Sequence, residues 1–230
     1  MFHINSLNVS YGESKVIENL DLELNKGEIL AVMGRNGMGK TTLFKSLIGI
    51  LGCGSGSSIK MEDKELSSEP SFIRVRNGLA YVPQGRMIFP NLSVTDNIRT
   101  GLDSTEEKSV PDYVYELFPV LKEMGKRKGG NLSGGQQQQL AIARALVTKP
   151  KVLLLDEPTE GIHPSIIKEM AEKLKTIRDM HQVSIIVAEQ VLSFALTACD
   201  RFLVMEGGSI VHSSDRSEVD AEKIKKFLSV

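Results

Sequence analysis

Ile29-Leu30-Ala31-Val32-Met33-Gly34-Arg35-Asn36-Gly37-Met38-Gly39-Lys40-Thr41-Thr42-Leu43-Phe44-Lys45-Ser46-Leu47-Ile48 decides the reading of this chain. The segment from Glu28 to Met33 reads as a short apolar strand. A glycine-rich turn follows, then a helix expected from Lys40 to about Ile50. Gly34 to Thr41 matches G-x-x-x-x-G-K-[ST] in full. Glycines in such a turn let the backbone wrap a phosphate closely, with several N–H groups pointing inward. The helix starting near Lys40 aims its positive dipole end at the same anion. Lys40 would reach the β- and γ-phosphates of a nucleotide, and Thr41 would offer a hydroxyl to Mg²⁺. Arg35, Asn36, Met38 and Thr42 complete the phosphate-binding set with Gly34, Gly37 and Gly39.

Further along, Val152-Leu153-Leu154-Leu155 is an apolar strand that ends in Asp156-Glu157. A buried parallel strand delivering acids at its C-terminal edge is where an α/β sheet builds its site. Asp156 would hold Mg²⁺, through water, and Glu157 would orient or deprotonate an attacking water. Alone, a strand ending in Asp-Glu is a weak signal. Beside a phosphate loop it gains force.

Strands and helices alternate around these two segments. Phe2–Val9 and the alternating Leu20, Leu22 and Leu24 predict a small antiparallel β piece at the start. Leu79–Val82 reads as a strand and Gly52–Ser58 as a loop. Helical stretches are expected near Val94–Gly101, Asp112–Met124 and Gln136–Thr148, and 86–127 reads as a helical insertion into one domain spanning 1–230. Beyond Asp156 the expected order is helix 166–180, strand 184–188, helix 191–198, strands 202–205 and 209–212, and helix 221–228. The fold class is therefore α/β: a phosphate-loop core with a mostly parallel sheet and helices on both faces, an N-terminal antiparallel β subdomain and a helical subdomain.

The 230 residues suit one such domain. With 28 basic and 29 acidic residues the net charge is −1, which lends no support to a nucleic-acid partner. Cys53 and Cys199 lack metal-ligand spacing and read as reduced thiols of a cytosolic protein. No signal peptide is expected at the N-terminus, and no apolar run is long enough to span a bilayer. A membrane role would go through a partner.

Leu132-Ser133-Gly134-Gly135-Gln136 precedes a helix, and Ser133 is a natural N-cap. A phosphate loop, this LSGGQ stretch and an apolar strand ending in Asp-Glu, in that order, resemble the ABC ATPase family over nearly the whole chain. The resemblance implies ATP and Mg²⁺ as ligands. It also implies an adenine-stacking role for Tyr11 and a Mg²⁺- and partner-sensing role for Gln84, which follows Tyr81-Val82-Pro83. Ser133, Gly134, Gly135 and Gln136 would face the γ-phosphate held by a second ATPase copy. A helix N-terminus with a hydroxyl and free amides suits that anion.

Two positions depart from the family pattern. Gln190 stands where a switch histidine is usual. It can donate a hydrogen bond to the γ-phosphate but cannot readily exchange a proton; alternatively it caps the helix beginning near Val191. Glu189 beside it is a second catalytic candidate, read otherwise as a surface carboxylate. His163 replaces the aspartate of the loop after Asp-Glu and reads as a solvent-facing or interface histidine.

The Glu189-Gln190 pair resembles the branch of importers for branched-chain amino acids, urea and short amides. Leu117-Phe118-Pro119-Val120-Leu121-Lys122, Gln136–Leu140 and Glu157–Ile162 look like the urea-type subunit. The resemblance implies an ATPase at the cytoplasmic face of the plasma membrane. Its partners would be permease subunits, a second ATPase (identical or related) and, indirectly, a substrate-binding protein. Alternatives are an amino acid importer's ATPase, a soluble ATPase acting on ribosomes or repair complexes, and an inactive nucleotide sensor. One phosphate loop and no heptad stretch speak against the soluble type. Intact Lys40, Asp156 and Glu157 speak against the sensor.

Overall fold

The computed structural model describes residues 2–229. Strands β1 (Phe2–Tyr11) and β2 (Ser14–Leu24) form a hairpin, and β3 (Ile29–Met33) runs through the glycine loop into α1 (Lys40–Leu47). Then come β4 (Ser58–Met61), β5 (Lys64–Glu65), α2 (Ser71–Arg76) and β6 (Leu79–Val82). Helices α3 (Val94–Arg99), α4 (Asp112–Leu117), α5 (Pro119–Glu123) and α6 (Gly134–Leu146) precede β7 (Val152–Asp156). The chain closes with α7 (Pro164–His181), β8 (Ser184–Glu189), α8 (Leu192–Ala198), β9 (Arg201–Glu206), β10 (Ser209–Asp215) and α9 (Ala221–Leu228).

Two sheets result. One is antiparallel, in the order β2-β1-β4-β5. The other runs β10-β9-β3-β8-β7-β6 and is parallel except for β10 at its edge. The central strands β3, β7 and β8 are buried along their whole lengths, as parallel strands covered on both faces must be.

Their side chains alternate between two cores. Ala31, Leu153, Leu155, Ile185 and Val187 face the helical side, where α6, α7 and α8 pack. Leu30, Val32, Leu154 and Ile186 face α1 and the antiparallel sheet. The second face is thus covered by one helix plus a sheet rather than by helices alone.

Three local departures have physical causes. The helix expected over 112–124 breaks at Phe118, which takes φ −131 and ψ 70. Pro119 cannot donate to the preceding turn and bars Phe118 from the helical region. Helix α1 ends at Leu47, three residues early, because Gly49 follows with φ +83. Strands β4 and β5 and helix α2 were not anticipated: each has six residues or fewer and lies close to a Gly/Ser-rich or turn-forming stretch.

Register sets the site. Met33 pairs with Glu189, and Asp156 with Ala188. The C-terminal ends of β3, β7 and β8 therefore lie level along one edge. The loops that leave them, Gly34–Gly39, Glu157–His163 and Gln190–Val191, emerge side by side.

Candidate functional site

Gly39 is the N-cap of α1 with φ +102, and a Cβ there would stand 2.9 Å from Cε of Met205. Only glycine fits both demands. The turn it allows folds the loop over Lys40, which is 4 % exposed. Lys40 Nζ donates to the carbonyls of Gly34 (2.7 Å) and Arg35 (3.0 Å). It also lies 3.3 Å from Oε1 of Glu157. Beside it opens a cleft of about 300 Å³, lined by Val16, Asn36, Gly37, Thr42, Gln84 and Glu157 among others. A buried cation and a glycine-rich loop beside one cleft give it the chemistry that a polyanion requires.

Asp156 closes the inner wall. It is 1 % exposed. Its Oδ1 accepts from the Thr41 hydroxyl at 3.2 Å and its Oδ2 from the Tyr81 hydroxyl at 3.1 Å. Burial raises its pKa, while the two hydroxyl hydrogen bonds and Lys40 pull the other way and Glu157 adds to the rise. A divalent cation nearby would relieve that cost. The donors available to one are oxygens only: the Thr41 hydroxyl, the Asp156 carboxylate and the Gln84 side-chain carbonyl. That hard set fits Mg²⁺. Among the described residues no three His, Cys, Asp or Glu side chains cluster as a metal site. Phosphate oxygens and water would supply the rest of the shell.

Glu157 sits one residue past β7 with φ +47, a conformation non-glycine residues seldom adopt. Its N–H donates to Ala188 O at 2.9 Å, which extends the β7–β8 ladder and holds the strained turn. Three side chains converge on its carboxylate. Lys40 and Gln190 Nε2 (3.0 Å) approach Oε1, and Gln84 Nε2 approaches Oε2 at 3.3 Å. Gln190 Nε2 also donates to Asn36 Oδ1 at 2.8 Å, joining the loop after β8 to the phosphate loop. Gln190 therefore does not cap α8, whose N-cap is Val191 with no side-chain cap.

The structure assembles Asn36, Lys40, Thr41, Gln84, Asp156, Glu157 and Gln190 in one place. It does not bring Tyr11 or Ser133–Gln136 to that cleft. Tyr11 is exposed at the end of β1, and the same hairpin instead sends Val16 to the cleft wall. Ser133 caps α6 in a capping box with Gln136: Ser133 N–H donates to Gln136 Oε1 at 3.0 Å, and Gln136 N–H to Ser133 Oγ at 3.4 Å. A Cβ on Gly134 would meet Gly161 O at 2.9 Å. This stretch thus packs closely against the loop after β7, with Ser133 exposed.

One expectation needs correction and one needs an addition. Glu189 is not a surface carboxylate: it is 2 % exposed and fully hydrogen-bonded. His163 is exposed but also caps α7 by accepting from Ser165 N–H. Sequence reasoning missed the Tyr81 hydroxyl on Asp156. It also missed Arg86, whose Nη2 donates to Glu160 O at 2.7 Å and whose Nη1 reaches Gln137 on α6 at 3.4 Å. Nothing local marked either residue, because each partner is more than fifty residues away.

Residues 17–160 match the family model described as ABC transporter. The chain belongs to that family. A curated relative is the high-affinity branched-chain amino acid transport ATP-binding protein BraG of Pseudomonas aeruginosa, 40% identical over 214 residues, covering 92% of this chain and 91% of its own. The probable branched-chain amino acid transport ATP-binding protein LivF of Archaeoglobus fulgidus is 35% identical over 225 residues, covering 96% and 95%. Among solved structures, cbiO1 from Clostridium perfringens, described as part of the ABC transporter complex cbiONQ, superposes with a TM-score of 0.82 at 27% identity over 97% of this chain and 92% of its own. A nucleotide-free ATP-binding cassette from an ABC transporter superposes at 0.84 with 24% identity, covering 100% and 95%.

The fold is the ABC ATPase fold, and the chain is an ATP-hydrolysing cassette. No helix of the described residues is long and apolar enough to cross a membrane.

Proposed function

We propose that this cassette drives an importer of the branched-chain amino acid type, docked on permease subunits at the cytoplasmic face of the membrane. The observation that carries the reading is the 40% identity to BraG across nine-tenths of both chains. A groove of about 390 Å³ between β6, α6 and the segment after Gln84 adds to it. Met87 and Phe89 line that groove and are 69% and 47% exposed. Exposed apolar side chains bordering a groove suit a partner helix, and Gln84 ties this segment to Glu157.

In the hydrolytic step, Lys40 and the loop amides hold the β- and γ-phosphates of ATP. Thr41, Asp156 and Gln84 would hold Mg²⁺, which when bound would neutralise charge on the phosphate oxygens. Glu157 accepts a proton from the attacking water, and Gln190 orients the reacting group by hydrogen bonding. Tyr11, exposed at the end of β1 and outside the phosphate cleft, would stack on an adenine that projects from it. Ser133, Gly134, Gly135 and Gln136 face the γ-phosphate on a second cassette, identical or related. A donor supplied in trans can be worth about 10³–10⁵ in rate, so an isolated copy turns over slowly.

The urea reading rests on the sequence resemblance at Leu117–Lys122 and Glu157–Ile162, to which the relatives named add nothing. No residue of this chain would touch the solute under either reading. The test is ATP hydrolysis and uptake by the reconstituted transporter with leucine or with urea. Stimulation by leucine and its close analogues supports the proposal. Stimulation by urea alone would overturn it in favour of the urea type.

A further inference from the structure

Glu189 ends β8, level with Met33 of β3. It is 2 % exposed, and among the described residues no cation pairs with it. Its carboxylate is satisfied entirely by donors from two loops. Oε1 accepts from the N–H of Thr159 at 3.1 Å and from the Thr159 hydroxyl. Oε2 accepts from the N–H groups of Gln190 at 2.8 Å and Val191 at 3.0 Å. A carboxylate is the side chain that offers about four acceptor positions and no donor. All four are used here.

The two loops are those that flank the reacting groups. Thr159 lies two residues past Glu157, and Gln190 directly follows Glu189. Gln190 reaches both Glu157 and Asn36 with one amide nitrogen. Its aim therefore depends on where its backbone sits relative to the Glu157 turn. The Glu189 carboxylate fixes that separation, because it grips one loop with each oxygen. The Glu157 loop is held a second time by Arg86 at Glu160 O.

We propose that Glu189 is a positioning residue for hydrolysis: it braces the Thr159 loop against the Gln190 loop and so sets Gln190 against Glu157. The proposal rests on the reading of Glu157 and Gln190 as groups of the reacting site. Gln at 189 would keep the shape but turn an NH₂ toward one pair of N–H or O–H donors. At least one of the four hydrogen bonds would be lost, because the Thr159 hydroxyl can turn to accept but a backbone N–H cannot. Among the described residues no hydrogen bond joins the Glu189 carboxylate to the phosphate loop, so ATP binding should be spared.

The experiment measures kcat and KM for ATP, with thermal melting, in the full chain assembled with its membrane subunits. Glu189→Gln should lower kcat about tenfold, equivalent to about 1.4 kcal/mol, with KM within about twofold. Thr159→Val is nearly isosteric and removes one donor, and should lower kcat about threefold. It keeps the test alive if Glu189→Gln does not fold. In a Gln190→Ala background, Glu189→Gln should cost less than about twofold more, since the group it aims is gone. A purely structural brace would lower the melting temperature and leave kcat per folded molecule unchanged. That result, or a full tenfold loss persisting in the Gln190→Ala background, overturns the proposal. If Gln190→Ala alone leaves kcat unchanged, the reading of Gln190 fails and the proposal falls with it. A slow Gln190→Ala beside a normal Glu189→Gln overturns the proposal alone.

Discussion

The Lys40 ammonium lies 3.3 Å from Glu157 Oε1 while donating to the carbonyls of Gly34 and Arg35. An ammonium has three protons to donate, and two of them are spent on these carbonyls. The same cation therefore shapes the phosphate loop from inside and faces the acidic group at the end of β7. Lys40→Ala removes both functions. A lost hydrogen bond to a charged group costs about 1.5–3 kcal/mol, so ATP affinity should fall roughly ten- to a hundredfold and turnover should vanish. Nucleotide titration of the folded variant checks this. Unchanged affinity and turnover would remove Lys40 from the phosphate site.

Glu157→Gln should behave differently. The amide preserves size and can still meet one of the donors from Lys40, Gln190 and Gln84, but it is no longer a base. Turnover should drop by about 10²–10⁴ while ATP binding is kept. With ATP and Mg²⁺ the variant should accumulate as a nucleotide-bound dimer, seen by light scattering. Normal turnover would place the base elsewhere. Lost turnover without dimers would indicate that the second cassette is a different protein.

Legibility in the sequence followed the range of the interactions. The phosphate loop, β7 and the Asp156-Glu157 pair were readable because each depends on neighbours in sequence: a glycine turn, an apolar run, a strand end. Gln190 was placed by its position after β8. Tyr81 and Arg86 were not readable in their roles, because their partners Asp156 and Glu160 lie 75 and 74 positions away; nor was Glu189, whose link to the other loop is Thr159, 30 positions away. A carboxylate beside a glutamine carries no mark of burial. What buries Glu189 is the register of β8 against β3 and β7, which pairing decides and local propensity does not. The break between α4 and α5 was written in Pro119, although the apolar spacing across 112–124 suggested one helix.

The small strand β5 supplies a pH-dependent test. The Glu65 carboxylate accepts from the N–H groups of Ile59 and Ser67, at 2.9 and 3.0 Å, and from the Ser58 hydroxyl. Burial opposes its ionisation, but hydrogen bonds from Ser58, Ser67 and Ile59 outweigh it and lower its pKa from 4.5 to about 2. The folded value lies below the unfolded one. Its stabilisation is therefore complete above pH 4.5 and is lost as pH falls from 4.5 towards 2. Glu65 is largely exposed, so solvent screening keeps the effect small, at about 1 kcal/mol. Glu65→Gln should melt roughly 2–4 °C below the parent at pH 7. That gap should narrow steadily in melts taken below pH 4.5. A gap that stays constant with pH would mean that the carboxylate's charge does not stabilise β4 and β5.

Arg74 joins the remote end of α1 to α2, and it should matter to both stability and nucleotide binding. The side chain is 2 % exposed. Its Nη1 donates to Ser46 O at 2.7 Å and Leu47 O at 2.9 Å, the last-turn carbonyls of α1. Nε and Nη2 donate to Glu69 O and Ser67 O, each at 2.8 Å. No carboxylate is among these partners. The cation is instead offset by the negative end of the α1 dipole and by four carbonyls. Burial lowers its pKa, yet a guanidinium stays charged at neutral pH. Arg74→Met fills similar space but leaves Ser46 O with only the Gly49 N–H and removes the guanidinium donor from Leu47 O. A hydrogen bond to a charged group contributes about 1.5–3 kcal/mol, so losing these two should cost at least about 3 kcal/mol. At roughly 2–4 °C per kcal/mol for a chain of this size, the melting temperature should fall by about 6–12 °C. Arg74→Lys should lie between, since an ammonium cannot fork to carbonyls on both sides. Helix α1 carries Lys40 and Thr41 at its other end, so fraying should also weaken ATP binding. Saturating ATP should then restore part of the lost melting temperature, because a ligand that binds only the folded state stabilises it. A melting temperature within 1–2 °C of the parent (less than about 1 kcal/mol) would show that water takes over the carbonyls and that Arg74 does not anchor the phosphate-loop helix.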